Sequence, residues 1–302
     1  MQFVAGHAQH IGARGEQQDA FGFANWTDEH FVAHAGFAAV LADGMGGMVD
    51  GQVASTTGVR VFFESYRLKA EQESIGHALV RALGDANAAV YAHSQRLGAP
   101  GQVGSTFIAC VLHAANLYWI SVGDSALYIF RENSLYVLNT SHTYGQYLDQ
   151  AAADGKITVA EALQDTQREA LTSYLGIDSL TNFDLGERPV SLQPGDRILL
   201  ATDGLFKTLS SLEIAGVLSR EEPLAAADRL VELTLGKGRM HQDNVTVICI
   251  AAGADPEHSR APQPVMQVDE ADTLLYPVQP ARPQELAFQP DANPEKKRRW
   301  WL

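Results

Sequence analysis

Cysteine, basic residues and long apolar runs are scarce in this chain, and each scarcity excludes a class of protein. The 302 residues include two cysteines, which excludes a disulfide framework and indicates reduced thiols in the cytoplasm. Lys and Arg number 22 against 36 Asp and Glu, and the formal net charge of −14 argues against broad nucleic-acid binding. No run approaches the roughly 18 apolar residues of a membrane span, and the first residues lack the basic start of a signal peptide.

Proline divides the chain into two parts near residue 253. Eight of the 12 prolines lie at or after Pro256, among glutamines and acidic residues and without a helical or strand period. We therefore expect a folded domain over residues 1–253 and a disordered tail over residues 254–302. The tail ends in four basic residues, two tryptophans and a leucine. This motif leaves three alternatives: an inert or solubilising tail, a protein-docking segment, or a membrane contact, which the acidic body disfavours.

The body contains blocks of helices separated by runs of short strands. Helical periodicity is present over residues 52–69, 74–97, 144–154, 159–163 and 166–175. Strand-like segments are residues 31–32, 37–42, 105–112, 117–122, 126–131 and 135–138. Short breaks between the later strands predict hairpins and an antiparallel meander. Because the helices form separate blocks, the pattern favours an α+β fold with helices covering antiparallel sheets. The insert over residues 144–175 is either a lid over a site or a plain covering element.

Four aspartates lie at the ends of apolar runs that read as buried strands. Asp43 and Asp203 each end such a run and precede a glycine, Asp124 follows a third run, and Asp243 begins a fourth. A single aspartate at a strand end is an ordinary turn residue. Four carboxylates on one rim would repel each other unless hard cations neutralise them. The pattern therefore predicts Mg²⁺ or Mn²⁺ bound by oxygen ligands.

Six short motifs, taken in order, resemble the metal-dependent protein phosphatases of the PP2C type (the PPM family), in their bacterial form. They are Arg-Gly-Glu-Gln-Gln-Asp at 14–19, Asp-Gly-Met-Gly-Gly at 43–47, Gly-Ser-Thr at 104–106, Val-Gly-Asp-Ser at 122–125, Thr-Asp-Gly-Leu at 202–205 and Asp-Asn-Val-Thr at 243–246. The resemblance covers nearly the whole body and none of the tail. It implies an αββα sandwich, in which two antiparallel sheets flanked by helices carry a binuclear metal site at one end.

The resemblance also assigns metal-binding roles to individual residues. Asp43 would bridge two ions, and the backbone carbonyl of Gly44 would be a further ligand of the second ion. Asp203 and Asp243 would complete the ligand set of the first ion. Asp19 would accept hydrogen bonds from metal-bound water.

Further positions complete the implied site. Asp124, together with Asp203, would hold a third and weaker ion. Arg14 would pair its guanidinium fork with the substrate phosphate. His142 and His241 are open candidates for positions near the cleft, and the alternative for each is an ordinary loop histidine.

The reaction implied by the resemblance is hydrolysis of phosphoserine and phosphothreonine in proteins by a metal-activated water. Mn²⁺ or Mg²⁺ would be the cofactor, phosphorylated proteins the substrates, and a serine/threonine kinase the opposing enzyme. Two alternatives remain: a weak or inactive relative that acts as a binding module, and a phosphohydrolase of small molecules. The first is disfavoured because Asp43, Asp203 and Asp243 are all present, and the sequence leaves the second open.

Overall fold

Two antiparallel sheets lie face to face between two layers of helices. The computed structural model describes residues 3–24, 28–45, 50–186 and 188–253, and the backbone of residues 273–275. Its elements in chain order are β1 (Phe3–His10), β2 (Asp19–Ala24), α1 (Glu29–Ala35), β3 (Phe37–Asp43), α2 (Gly51–Tyr66), α3 (Ile75–Arg96), β4 (Phe107–His113), β5 (Asn116–Val122), β6 (Ala126–Arg131), β7 (Ser134–Val137), α4 (Tyr144–Ala153), α5 (Val159–Gln164), β8 (Asp184–Leu185), β9 (Val190–Ser191), β10 (Arg197–Ala201), α6 (Asp203–Phe206), α7 (Ser211–Leu218), α8 (Pro223–Gly236), β11 (Val245–Ala252) and β12 (Thr273–Leu275).

Both sheets are antiparallel throughout. The first sheet has the strand order β1-β11-β10-β6-β7. The second has the order β12-β2-β3-β4-β5-β8, with β9 also paired to β5. Hairpins join β4 to β5 and β6 to β7, as the short breaks in the sequence predict. The expected α+β fold with an αββα arrangement is confirmed.

Three apolar layers hold this sandwich together, and β11 contributes to two of them. Ile248 and Ile250 belong to the core between the two sheets. Val247 and Cys249 point the other way, into the core that includes residues of α7 and α8. Alternate residues of a strand face opposite sides, so a strand that is covered on both sides is apolar at nearly every position, and Thr246 is the polar exception in β11. Burying one such side chain stabilises the fold by about 1.5–3 kcal/mol.

The strand expected at residues 31–32 is wrong, because these residues lie within α1. The side chain of Asp28 accepts hydrogen bonds from the backbone N–H groups of His30 (2.9 Å) and Phe31 (3.2 Å). This N-cap satisfies donors that a helix start leaves unpaired, and it favours the helix. A run of two apolar residues is too short to show a period of either kind.

The helix expected over residues 166–175 is also absent, and successive turns take its place. The guanidinium of Arg168 binds both carboxylate oxygens of Asp149 on α4, at 2.9 and 2.7 Å. Leu175 exchanges backbone hydrogen bonds with Ser105, at 3.2 and 2.8 Å. These contacts to distant residues hold the segment against its neighbours, whereas a helix would pair its backbone groups locally.

Several elements have no counterpart in the sequence-based expectation, including β1, β2, α7 and α8. Part of the proline-rich segment forms β12, which pairs with β2. The basic and aromatic end of that segment lies outside the described residues, so the expectation of a disordered tail stays a prediction. In the described part of the chain, no helix is long and apolar enough to cross a membrane.

Candidate metal centre

Asp19 and Asp43 are cross-strand partners at one end of the second sheet. Asp19 begins β2 and Asp43 ends β3, and the two residues are paired in register. The backbone of Asp43 is fixed by Thr106, whose hydroxyl accepts from the Asp43 N–H at 3.0 Å and whose N–H donates to the Asp43 carbonyl at 2.8 Å. Ser105 donates a further hydrogen bond to that carbonyl at 2.9 Å. The Gly-Ser-Thr motif therefore positions Asp43.

The carboxylate of Asp19 connects the two sheets. Its Oδ2 accepts hydrogen bonds from the hydroxyl groups of Thr202, at 3.1 Å, and Thr246, at 2.6 Å. Both threonines belong to the first sheet or to the loop at its end. The other oxygen, Oδ1, is buried and has no hydrogen-bond partner among the described residues. A buried carboxylate oxygen without a partner is costly, and it marks a position that a further donor or cation can occupy.

Burial raises the pKa of Asp19 to about 7, and the negative charges of Asp203 and Asp243 act in the same direction. The hydrogen bonds from Thr246 and Thr202 lower the pKa and offset part of this effect. Asp19 therefore loses its proton near neutral pH when no cation is bound. A divalent ion nearby would reverse this preference.

Asp203 reaches the same end of the sandwich from the first sheet, at the first position of α6. Thr202, which precedes Asp203, is held by Thr246: the Thr202 N–H donates to the Thr246 carbonyl at 3.1 Å, and the Thr246 N–H donates to the Thr202 hydroxyl at 3.0 Å. Gly204 lets α6 lie against the loop that follows Asp243, since a Cβ atom there would come within 2.0 Å of the Asn244 carbonyl oxygen. The Oδ1 atom of Asp203 is buried and has no partner among the described residues.

Asp243 and Arg14 form an ion pair at the mouth of the site. The Nη2 atom of Arg14 donates to Asp243 Oδ2 at 2.7 Å, and this hydrogen bond is the main cause that raises the pKa of Arg14. Asn244 fixes the loop that carries Arg14, because its side chain donates to the Glu16 carbonyl at 3.1 Å and accepts from the Gln18 N–H at 2.8 Å. The first and last motifs of the sequence thus meet in space.

Asp124 lies at the same rim, in the turn between β5 and β6. Burial raises its pKa to about 6, the charge of Asp203 adds to this rise, and Lys207 offsets it. The Nζ atom of Lys207 lies 2.8 Å from Asp203 Oδ2, 2.8 Å from Glu169 Oε2 and 3.7 Å from Asp124 Oδ2. Burial alone would lower the pKa of Lys207, but these carboxylates raise it overall. The lysine is therefore a fixed positive charge at this side of the site.

We call Asp19, Asp43, Asp124, Asp203 and Asp243 the carboxylate cluster. Burial is the main cause that raises the pKa of Asp43 well above its usual range, and the other four members raise it further through their negative charges. Oxygen ligands of this kind suit Mg²⁺ and Mn²⁺. The two unpartnered buried oxygens and the mutual repulsion fit a site that is completed by divalent cations.

Gly44 brings its backbone close to two neighbouring segments. Its N–H donates to the Gln18 carbonyl at 3.0 Å. A Cβ atom at this position would lie 2.2 Å from the Gly51 carbonyl oxygen, so only glycine fits here. The close packing is compatible with the backbone role expected for Gly44. Gly46 and Gly47 of the same motif lie outside the described residues.

The two histidine candidates differ in their surroundings. His142 is buried, and its Nδ1 lies 3.3 Å from the carbonyl oxygen of Gly123, next to Asp124. Burial lowers the pKa of His142. His241 lines a surface cavity of about 450 Å³ together with Asp203 and Asp243. His142 is therefore part of the packing behind the Asp124 turn, while His241 faces the space beside the cluster.

Three contributors to this site were missed by sequence reasoning. Thr202 and Thr246 lie within quoted motifs, but their hydrogen bonds to Asp19 depend on how the sheets pack. The contact of Lys207 with Asp203 could have been predicted. Lys207 follows Asp203 by four residues at the start of a helix, and residues at this spacing face each other. Its contact with Glu169 could not be predicted, because Glu169 belongs to the insert between β7 and β8, far from Lys207 in sequence.

Comparison with known proteins identifies the family. The family model described as Protein phosphatase 2C matches residues 7–233. The chain is similar to the serine/threonine phosphatase stp of Listeria welshimeri, with 26% identity over 217 residues, which are 70% of this chain and 82% of that protein. It is 30% identical over 233 residues to the serine/threonine protein phosphatase PstP of Mycobacterium tuberculosis, which covers 75% of this chain and 42% of PstP.

A solved structure resembles the fold at similar identity. It is the catalytic domain of serine/threonine protein phosphatase PstP in complex with two manganese ions. Its TM-score is 0.64 at 26% sequence identity, over 82% of this chain and 97% of that one. The two antiparallel sheets flanked by helices agree with these matches. The chain belongs to the protein phosphatase 2C family.

Proposed function

We propose that this protein is a metal-dependent phosphatase that hydrolyses phosphoserine and phosphothreonine in proteins. One observation carries the proposal: carboxylates from both sheets converge at one end of the sandwich, and the side chain of Asp19 links the two sheets there. Such a concentration of buried negative charge has no structural benefit of its own, because each carboxylate raises the pKa of its neighbours. The family membership and the named activities of the relatives support the same reaction.

Asp43, the Gly44 carbonyl, Asp203 and Asp243 would hold two Mn²⁺ or Mg²⁺ ions. Asp19 would accept hydrogen bonds from water in the ligand sphere, through the oxygen that is unpartnered among the described residues. When bound, a pair of divalent cations lowers the pKa of water and offsets charge on a phosphoryl group. The manganese reported for the PstP catalytic domain supports this choice of ion.

Arg14 would bind and orient the phosphoryl group. Among the described residues, its guanidinium makes one hydrogen bond, to Asp243, and the side chain is about half exposed. The remaining N–H groups can donate to two phosphate oxygens, since the guanidinium fork matches their spacing. Asp243 would thus hold Arg14 beside the reacting group while its own carboxylate stays in the metal site.

The surroundings of the cluster support a protein substrate. The cavity of about 450 Å³ is lined mainly by polar residues, including Arg239 and Gln242, and opens to the surface. Small-molecule sites are more often enclosed and mostly apolar. An open polar site instead suits a phosphorylated side chain that projects from another protein.

The reaction also implies an opposing enzyme and a compartment. A phosphatase of this kind would reverse a serine/threonine kinase, since phosphorylated side chains must be supplied. We place it in the cytoplasm, because Cys110 and Cys249 are free, buried thiols that suit a reducing environment.

Hydrolysis by the purified full-length chain tests the proposal. A phosphothreonine peptide, p-nitrophenyl phosphate and a nucleoside monophosphate would be compared with Mn²⁺, with Mg²⁺ and with EDTA. We expect metal-dependent turnover that prefers the peptide, is abolished in Asp203→Asn and is retained in Asp178→Asn, which changes an exposed aspartate outside the cluster. Preference for the nucleotide would favour a small-molecule phosphohydrolase, and no turnover by the folded protein would favour a binding module.

A further inference from the structure

Lys207 occupies the position between Asp124 and Asp203 at which the family resemblance implies a third divalent cation. Its Nζ atom is 2.8 Å from Asp203 Oδ2 and 3.7 Å from Asp124 Oδ2. An ammonium group and a divalent ion would compete for the same carboxylate oxygens. Two positive charges about 4 Å apart would also repel each other.

The third carboxylate around this ammonium comes from the insert between β7 and β8. Glu169 Oε2 lies 2.8 Å from the Nζ atom, although the Glu169 side chain is otherwise largely exposed. Lys207 therefore connects three separate parts of the chain: the turn that carries Asp124, the start of α6, and the insert. Asp203 and Glu169, each at 2.8 Å, lie within hydrogen-bond distance of the ammonium, whereas Asp124, at 3.7 Å, is attracted by charge without a hydrogen bond.

Hydrogen bonds to its carbonyl and from its N–H hold the backbone of Lys207 in place. The guanidinium of Arg239 donates to the Lys207 backbone carbonyl at 2.6 Å, and the Lys207 N–H donates to the Asp203 carbonyl at 2.9 Å. The side chain then follows the α6 surface back toward Asp203, as expected for residues four apart on a helix. The Asp124 and Asp203 side chains are only 12% and 16% exposed, so water screens their attraction to the ammonium only weakly.

We propose that the ammonium of Lys207 replaces a third divalent cation, so that this protein binds two metal ions and not three. In the same position it holds the insert against the metal-binding end of the sandwich through Glu169. The inference rests on the proposed two-metal centre. It departs from the sequence-based expectation, in which Asp124 and Asp203 bind a third ion.

Counting bound Mn²⁺ tests this inference without relying on catalysis. Equilibrium dialysis with elemental analysis, together with calorimetric titration, would be applied to the full chain and to Lys207→Ala, Lys207→Arg and Asp124→Asn/Lys207→Ala. Lys237→Ala is the matched control, because Lys237 also pairs with a glutamate, Glu213, but lies outside the cluster. We expect two ions in the wild type, in Lys207→Arg and in the control.

Lys207→Ala should bind a third ion at least tenfold more tightly than any third ion in the wild type, and the added Asp124→Asn change should remove it. Three tightly bound ions in the wild type would overturn the inference, as would an unchanged count of two in Lys207→Ala. A count of zero in every variant would instead overturn the metal centre itself, and with it this inference. Phosphopeptide hydrolysis with two ions in all variants would leave the proposed function standing while the role of Lys207 failed.

Discussion

Replacing Asp19 by asparagine should stabilise the metal-free protein, and the gain should increase with pH. The pKa of Asp19 is about 7 in the folded protein, above its ordinary value of 3.8. Between these values the unfolded chain releases the proton while the folded chain keeps it, so folding becomes less favourable as the pH rises. The contribution of protonated Asp19 to the stability of the wild-type fold is fully present below pH 4 and is lost above pH 7. One pKa unit corresponds to about 1.4 kcal/mol, so the loss is on the order of 4 kcal/mol.

Asparagine has nearly the same shape, can still accept from Thr246 and cannot ionise. Urea unfolding of the wild type and Asp19→Asn in EDTA, between pH 4.5 and pH 8, measures the difference directly. We expect the variant to gain about 1 kcal/mol at pH 4.5 and on the order of 4 kcal/mol at pH 8. Asp178→Asn, which changes an exposed aspartate, should show no such increase. Saturating Mn²⁺ should abolish the gain, because the cation then favours the charged carboxylate of the wild type.

A difference that does not change with pH would refute the reasoning, because Asp19 would then have the same pKa in the folded and unfolded chains. So would a variant that is less stable than the wild type at pH 8 in EDTA. Either result would mean that burial and the neighbouring carboxylates do not suppress ionisation of Asp19.

Two further substitutions test the phosphate contact and the packing of the cluster. Arg14→Lys should lower kcat/KM for a phosphothreonine peptide by roughly 10- to 100-fold, because an ammonium cannot make the bidentate contact of a guanidinium with two phosphate oxygens. Steady-state kinetics at saturating Mn²⁺ measures this change. Gly204→Ala should destabilise the fold by roughly 1–3 kcal/mol, because its Cβ atom would meet the Asn244 carbonyl oxygen at 2.0 Å. Gly216→Ala is the control for urea unfolding, since a Cβ atom in that helix meets no atom within 4 Å, and it should stabilise by roughly 0.5–1 kcal/mol.

A different result would contradict each of these two predictions. Unchanged kcat/KM in Arg14→Lys would mean that the arginine serves only its ion pair with Asp243. Equal stability of Gly204→Ala and Gly216→Ala would mean that α6 does not need its close approach to the loop that carries Asn244.

The strand-end aspartates could be predicted from sequence because each is a local feature. An apolar run followed by Asp-Gly identifies Asp43 and Asp203 without knowledge of the fold, and the order of the motifs then indicates one rim. The same local logic identifies the β4–β5 and β6–β7 hairpins. Family resemblance supplied the αββα arrangement, which the pattern of helices and strands alone did not distinguish from other α+β folds.

The features of the fold and of the site that could not be predicted depend mainly on contacts between residues far apart in sequence. The link from Asp19 to Thr202 and Thr246 exists only once the two sheets are packed, and the same packing buries Asp19, which is the main cause of its raised pKa. The segment over residues 166–175 has helical periodicity, but Arg168 pairs with Asp149 and Leu175 pairs with Ser105 instead. The third-ion expectation considered Asp124 and Asp203 without the lysine one helical turn away. For residues 166–175, tertiary contacts outweigh a local preference for helix.

Anomalous diffraction from crystals grown with Mn²⁺ would test most directly whether carboxylates from both sheets form one two-metal centre. We predict two manganese peaks that share Asp43, one of them also in contact with Asp203 and Asp243, and no peak between Asp124 and Asp203. Manganese found only at surface positions, or the absence of any peak in contact with Asp43, would contradict the two-metal centre on which the proposed reaction depends.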